Sequence, residues 1–308
     1  MAQSFEAPLR RIAHVTETII FCHTNYRPYL EHVIRQARRS NPNARIVLLG
    51  TDENKRLGTM VEHRMLSHFE SAVAPLREKY VHLSSNSAQF ELFCIARHFV
   101  IAAYCRAEGV AHFLHADSDL LIHSDIADVR RRFAAYDFTL SGGMSPHAMF
   151  WNTAGTIQTF ADYVMQAYAS HDAPIMQRLR AIYANLTSQG LPGGVCDMTL
   201  LELFASDGGF RAGETTEISE GRTLDHNINM AINGAVPFAM SAGIKDIRWR
   251  DGSPYGTRAD TGELVRFDVL HCQGKAKRHI RSLAHGRAPG WLDSVANLAE
   301  KIGARLHS

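Results

Sequence analysis

Two short segments carry the residues with the clearest capacity for chemistry. The first, HFLHADSDLL over residues 112–121, sets Asp117 and Asp119 directly after an apolar run. In extended backbone, residues i and i+2 point the same way, so the two carboxylates can converge on one hard cation. The second, HCQGKAKRH over residues 271–279, offers His271 as an imidazole ligand and Gly274 as a point of close backbone approach. It also offers Lys277 as an ammonium that can neutralise phosphate. Together they form a complete inventory for a divalent ion gripping a diphosphate. Each has a plainer reading too: a pair of loop acids, one capping a helix, and a basic loop with His271 as a turn residue. His115, two residues before Asp117, reads as a strand histidine and not as a third ligand.

Such a site needs elements to hold it. Residues 17–22 (ETIIFC) and Arg45–Leu49 (RIVLL) read as buried strands, separated by a helical pattern from Pro28 to Arg39 that Asn-Pro-Asn ends. A strand–helix–strand unit implies parallel pairing with a right-handed crossover. Residues 55–79 read as mostly helical and Tyr80–Leu83 as a short strand. Ser87 is placed to cap a helix from about Ala88 to Arg106 that stops before Gly109, and Val110–Ala116 is the strand leading into the acidic pair. This alternation predicts an α/β fold with an open, mostly parallel sheet between helices. Ligands of such sheets bind beyond the carboxyl ends of the strands, where Asp117 and Asp119 fall.

Beyond Phe138–Leu140 the pattern loosens. It gives a Gly-rich turn at Ser141–Gly143, helices near 156–169 and 175–185, and LPGG before a helix at 197–206. A turn-rich stretch follows, up to the apolar run Leu264–Leu270. Residues 291–306 carry Trp291, Val295, Leu298, Ile302 and Leu306 at helical spacing, expected to dock on the body.

Of 308 residues, 45% are hydrophobic and 21% charged, with a formal net charge of +2. That balance suits a globular enzyme and argues against nucleic-acid binding through bulk charge. Five scattered cysteines without a CxxC pair read as free thiols in a reducing compartment. The N-terminus shows no signal-peptide stretch, and the apolar window Phe90–Tyr104 is interrupted by Glu91, Arg97 and His98. The expectation is a cytoplasmic protein with no transmembrane segment, leaving room for peripheral membrane contact and an open oligomeric state.

The acidic pair and the C-terminal H-x-x-G-x-x-K resemble the motifs of the GT-A fold glycosyltransferases, most closely the retaining family-8 type. The order of motifs is consistent from about residue 18 to 280. The resemblance implies a single GT-A (Rossmann-like) domain over 1–308. Residues 15–140 would be the nucleotide-binding half and 141–270 a less regular sugar- and acceptor-facing half. Residues 271–308 would carry the phosphate motif and a final helix. It further implies that Asp117, Asp119 and His271 bind manganese, with ribose contact the alternative role for Asp117, and that Gly274 and Lys277 meet the diphosphate.

The same resemblance puts three more segments in the site. Asn25 and Tyr26 would contact the nucleotide, the tyrosine stacking on the base, although the aspartate expected for uracil is replaced by His23 and Thr24. Arg97 lies in the apolar stripe Phe90, Cys94, Ile101 and Tyr104, where a guanidinium needs an anionic partner. It would lie close to the donor sugar; an ion pair with Asp197 is an equal alternative. In FWNTAG, Asn152 is the best match to an asparagine that contacts sugar hydroxyls, and Asp197 to an aspartate that binds the sugar. Arg97, Asn152 and Asp197 are therefore the candidate catalytic residues. Asp197 is followed by Met198 where the family has glutamine, which leaves the course leaning only slightly to retention. An inverting enzyme would need a base such as Asp197 or Asp225.

The resulting expectation is transfer of a hexose-type sugar from a nucleotide diphosphate, UDP by preference, to a hydroxyl acceptor on a glycan or glycoconjugate. Two competitors are a sugar nucleotidyltransferase and a non-catalytic carbohydrate-binding protein on the same fold. The first expects a Gly-rich phosphate loop soon after the first strand, and residues 22–30 hold no glycine. The intact metal inventory opposes the second.

Overall fold

The computed structural model describes residues 16–288. The expected helix at 291–306 lies outside the described residues. The first half runs β1 (Thr18–Cys22), α1 (Tyr29–Ser40), β2 (Arg45–Gly50), β3 (Glu62–Met65), α2 (Glu70–Lys79), α3 (Ala88–Glu108), β4 (Phe113–Ala116), β5 (Leu120–Ile122), α4 (Ile126–Arg132) and β6 (Phe138–Leu140). It continues through β7 (Ala148–Trp151), α5 (Ala154–Ala167), α6 (Pro174–Ser188), α7 (Asp197–Asp207) and β8 (Ala212–Glu214).

These strands form one seven-stranded sheet of order β3-β2-β1-β4-β7-β6-β8. Strands β3, β2, β1 and β4 run parallel, and β6 pairs β8 in parallel. Strand β7 alone runs against its neighbours. The fold is therefore α/β with a large, mostly parallel sheet flanked by helices. The sheet takes strands from both sides of residue 140.

Every residue of β1 is buried, as a strand covered on both faces requires. Its alternate residues face opposite ways. Ile19 and Phe21 join a core with Leu30, Val33, Ile34 and Ala37 of α1, while Ile20 and Cys22 join another with α3, α5 and α7. The spacing of those four α1 residues is one apolar helix face, each large one worth about 1.5–3 kcal/mol when buried.

Helix α3 begins and ends as its sequence predicts. Ser87 Oγ accepts the Phe90 N–H, and Gly109, at φ 65°, closes the helix with its N–H on the Cys105 carbonyl. Among the described residues α3 is the one helix long and apolar enough to cross a membrane, and 61% of that window is buried inside the fold.

Three sequence expectations change. Residues 55–79 hold a 3-10 turn, strand β3 and a second 3-10 turn before α2 begins. Strand β3 (EHRM) lacks apolar alternation; it is held by the Arg45 fork, whose Nε and Nη2 both reach Glu62 at 2.7 Å. Tyr80–Leu83 is not a strand. Instead Ser84 forms an isolated bridge to Gly194. Residues 207–260 are richer in strands than their turns suggest. After β8 come β9 (Arg222–Thr223), β10 (Ile232–Asn233), β11 (Val236–Pro237), β12 (Met240–Ser241), β13 (Ile244–Lys245), β14 (Ile247–Arg250) and β15 (Ser253–Thr257). The apolar run then splits at Asp268 into β16 (Leu264–Phe267) and β17 (Val269–His271). A second sheet of order β14-β15-β16-β9 results, while β17 pairs with β5.

The Gly194 bridge ties the start of α7 to the segment before α3. A Cβ at Gly194 would lie 2.3 Å from both the Leu83 carbonyl oxygen and the Ser84 Cα. Because both neighbours are backbone, neither can swing away. Gly194→Ala is expected to destabilise the protein by about 1–3 kcal/mol in urea denaturation; an unchanged midpoint would show that the two segments part freely.

Candidate active site

The acidic pair and the histidine, far apart in sequence, meet because β17 pairs antiparallel with β5, placing His271 opposite Leu120. The Cys272 N–H then donates to the Asp119 carbonyl at 3.0 Å. Ligand atoms of Asp117, Asp119 and His271 come within 4.8 Å of one another. Asp119 and His271 are buried, and Asp117 is partly open.

The arrangement suits a divalent cation. His271 Nδ1 lies 2.6 Å from the His226 carbonyl, which can only accept, so Nδ1 carries the proton. That leaves Nε2 facing Asp119 Oδ1 at 3.6 Å. A ligating histidine is held in this way by a carbonyl behind it. Burial would lower the His271 pKa, but the hydrogen bond and charge of Asp119 outweigh it and raise it above the usual value. A metal ion would take that proton's place. Lys277 Nζ lies 3.0 Å from Asp119 Oδ2, where it can also meet an incoming phosphate. Burial opposes its charge, and Asp119 more than restores it. Gly274 opens the 3-10 turn that carries Lys277, at φ 58° with open space around its Cα, so its glycine identity follows from its backbone.

Arg97 connects two acids. Its Nη1 contacts Asp117 Oδ1 at 2.6 Å, and its Nη2 contacts Asp197 Oδ2 at 2.7 Å. The ion pair with Asp197 expected from the sequence is present, and the same side chain also contacts Asp117. Burial alone would raise the Asp117 carboxyl, yet Arg97, followed by nearby imidazoles, holds it well below the usual range. Asp197 is likewise held down against its burial, by Arg97 and by His98 Nε2 at 3.3 Å. Its other oxygen accepts the Met198 N–H at 3.0 Å. The structure brings Asp197 to the site as the anchor of Arg97, with both oxygens engaged. Met198 is 37% exposed beside it.

The loop after β1 reaches the same rim, since His23 Nδ1 and Ser118 Oγ are 2.8 Å apart. Asn25 sits at φ 64°, its N–H donating to Thr51 Oγ1 and its carbonyl accepting from Asn54, which leaves its side chain exposed. Tyr26 donates to Glu31, and the Arg56 guanidinium lies 4.3 Å over its ring. Burial lowers the His23 pKa to about 4, keeping the imidazole neutral beside the acids.

Asn152 is not brought to the site. Strand β7 runs antiparallel to β4, with Ala148 beside Ala116 and Trp151 beside Phe113. Asn152 therefore follows the end of β7 farthest from Asp117, where its Nδ2 holds the Phe133 and Tyr136 carbonyls. The residue at the site end of that strand is His147. Its carbonyl accepts the Asp117 N–H, and its ring stacks on His271 with centroids 4.0 Å apart and planes 7° from parallel. No sequence signal marked His147, a lone histidine after Ser-Pro. Asp225, weighed as a base, has no exposed surface and receives the His271 backbone N–H.

No protein-family model matches the chain, and no curated protein sequence is detectably similar to it. Solved structures do resemble it. Mouse xyloside xylosyltransferase 1 shares 9% identity at a TM-score of 0.42, covering 65% of this chain and 85% of its own. An active-site mutant of LgtC shares 11% identity at a TM-score of 0.42, covering 91% and 99%. The glycosyltransferase GlyE of Streptococcus pneumoniae TIGR4 shares 15% identity at a TM-score of 0.35, covering 65% and 45%.

Proposed function

We propose that this chain is a metal-dependent glycosyltransferase that moves a hexose-type sugar from a nucleotide diphosphate donor, UDP-linked by preference, to a hydroxyl on a glycan or glycoconjugate. One observation carries the reading. Two carboxylates and an imidazole with its proton fixed on the far nitrogen converge at the carboxyl end of a parallel strand, with a lysine on the same carboxylate. Asp117, Asp119 and His271 would hold Mn2+ or Mg2+, which when bound neutralises a diphosphate and stabilises it as a leaving group.

The chain's own side chains supply the rest. Lys277 stays charged to meet phosphate as the glycosidic bond breaks. Arg97 bridges Asp117 and Asp197 and holds the two carboxylates together. The Asn25–Tyr26 loop is the candidate nucleoside contact. Neither carboxylate weighed as an inverting base is free, since Asp197 is committed to Arg97 and Asp225 is fully enclosed. That favours retention, with the acceptor approaching on the leaving-group face, although a thioether stands at Met198.

Thermal unfolding with Mn2+ and a panel of nucleotides and nucleotide sugars tests the reading. Mn2+ and a UDP-sugar together are expected to stabilise the fold by about 2.7 kcal/mol when present at about 100 times Kd. Either alone should give less. Absence of a shift with every nucleotide and nucleotide sugar would remove the proposal.

A further inference from the structure

Behind the metal ligands lies a buried ion pair that none of the chemistry above uses. Lys245 and Asp225 both have 0% side-chain exposure, and Lys245 Nζ lies 2.7 Å from Asp225 Oδ1. A wholly buried pair adds little net stability, because desolvating two charges offsets their attraction. What it can supply is a fixed geometry.

The contacts of residues 225–228 show what would be fixed. Asp225 Oδ2 accepts the His271 N–H at 3.0 Å, and the His226 carbonyl takes His271 Nδ1 at 2.6 Å. The Ile228 N–H donates to the His271 carbonyl at 3.0 Å. One segment therefore grips His271 by backbone and ring together. The Asp225 carbonyl also takes His147 Nε2 at 3.0 Å, which makes Nε2 the donor and leaves Nδ1 to accept from Ser145 Oγ at 2.9 Å. With both nitrogens engaged, His147 serves as a flat, neutral support for the His271 ring stacked on it.

Lys245 locks this segment at two points, through Asp225 Oδ1 and through the Asn227 carbonyl at 2.7 Å. Its own N–H donates to the Ile228 carbonyl at 2.8 Å. Strand β13 thereby braces both ends of the clamp.

We propose that Lys245 is a positioning residue for the metal centre, acting through the Asp225–Ile228 clamp, with His147 as the second support that sets the plane of the His271 ring. This rests on the metal-site reading above. Groups that hold a ligating histidine in place from behind change metal affinity by about 10–100-fold.

The test is Mn2+ titration, with and without UDP, by calorimetry and electron paramagnetic resonance, together with the visible spectrum of the Co2+-loaded protein. Wild type is compared with Lys245→Met, Lys245→Met/Asp225→Asn and His147→Phe. The expected result is Mn2+ affinity lowered by about 10–100-fold in each folded variant and a changed Co2+ spectrum, which reports ligand geometry. Should Lys245→Met leave Asp225 uncompensated and fail to fold, the charge-free double variant and His147→Phe decide the matter. Wild-type affinity and spectrum in those two assign the pair to folding alone and overturn the proposal. Wild-type protein that takes up no Mn2+, with or without UDP, overturns the metal-site reading and this proposal together.

Discussion

Methionine in place of Arg97 is expected to destabilise the protein by about 3–5 kcal/mol, because it leaves the buried Asp197 and the partly open Asp117 without their shared cation. The pH dependence should also change sign. In the wild type, Asp117 and Asp197 are depressed, so their contribution to stability is complete above the unfolded carboxylate value and is lost as pH falls through the folded values. Without Arg97, burial dominates and raises both carboxyls. The native variant then binds more protons than the unfolded chain, and its stability rises as pH falls from neutral. Urea melts of the two proteins at pH 3, pH 5 and pH 7 compare the slopes. Arg97→Lys should rescue little, since an ammonium lacks the two-nitrogen fork that spans both acids. Arg97→Met/Asp197→Asn should recover part of the loss. Equal stability and equal slope in wild type and Arg97→Met would show that the bridge contributes nothing.

Asp119→Asn and His271→Ala are each expected to reduce donor turnover by roughly 1,000-fold, about 4 kcal/mol of lost transition-state stabilisation, while leaving the fold intact. Asparagine keeps the shape of Asp119 but loses the charge that a cation and Lys277 both require. Lys277 is 40% exposed and can turn to water, so the stability change should be small. Hydrolysis of a UDP-sugar in Mn2+ gives the rate, and thermal unfolding shows that the variant is folded. Full hydrolysis by either variant would take that residue out of the metal site.

The acidic pair was legible because two carboxylates follow an apolar strand, and the fold class because β1, β2 and β4 are enclosed on both faces and so read as largely apolar runs. Helix α3 declared its own ends through Ser87 and Gly109. Asn152 shows where reading by order fails. The apolar run AMFW identifies a strand without giving its direction, and an antiparallel β7 carries Asn152 away from the site that His147 borders. Lys245 and His226 were invisible for a different reason. They act through a carboxylate and a carbonyl, so neither residue type nor spacing betrays them. Residues 207–260 hid their strands because two-residue ladders such as β10–β11 leave no periodicity to read.

The short β5–β17 pairing also bears on how the molecule folds in time. Asp119 and His271 stand about 150 residues apart in the chain, and each doubling of a closing loop adds only about 0.6 kcal/mol of entropy. Closing so long a loop is thus thermodynamically cheap, but contacts this distant in sequence are slow to form. Chains still growing, or refolding, would carry the acid pair without its imidazole until β17 docks. On the metal-site proposal, full metal affinity is expected only once β17 has docked, and an ion added during refolding would report that step.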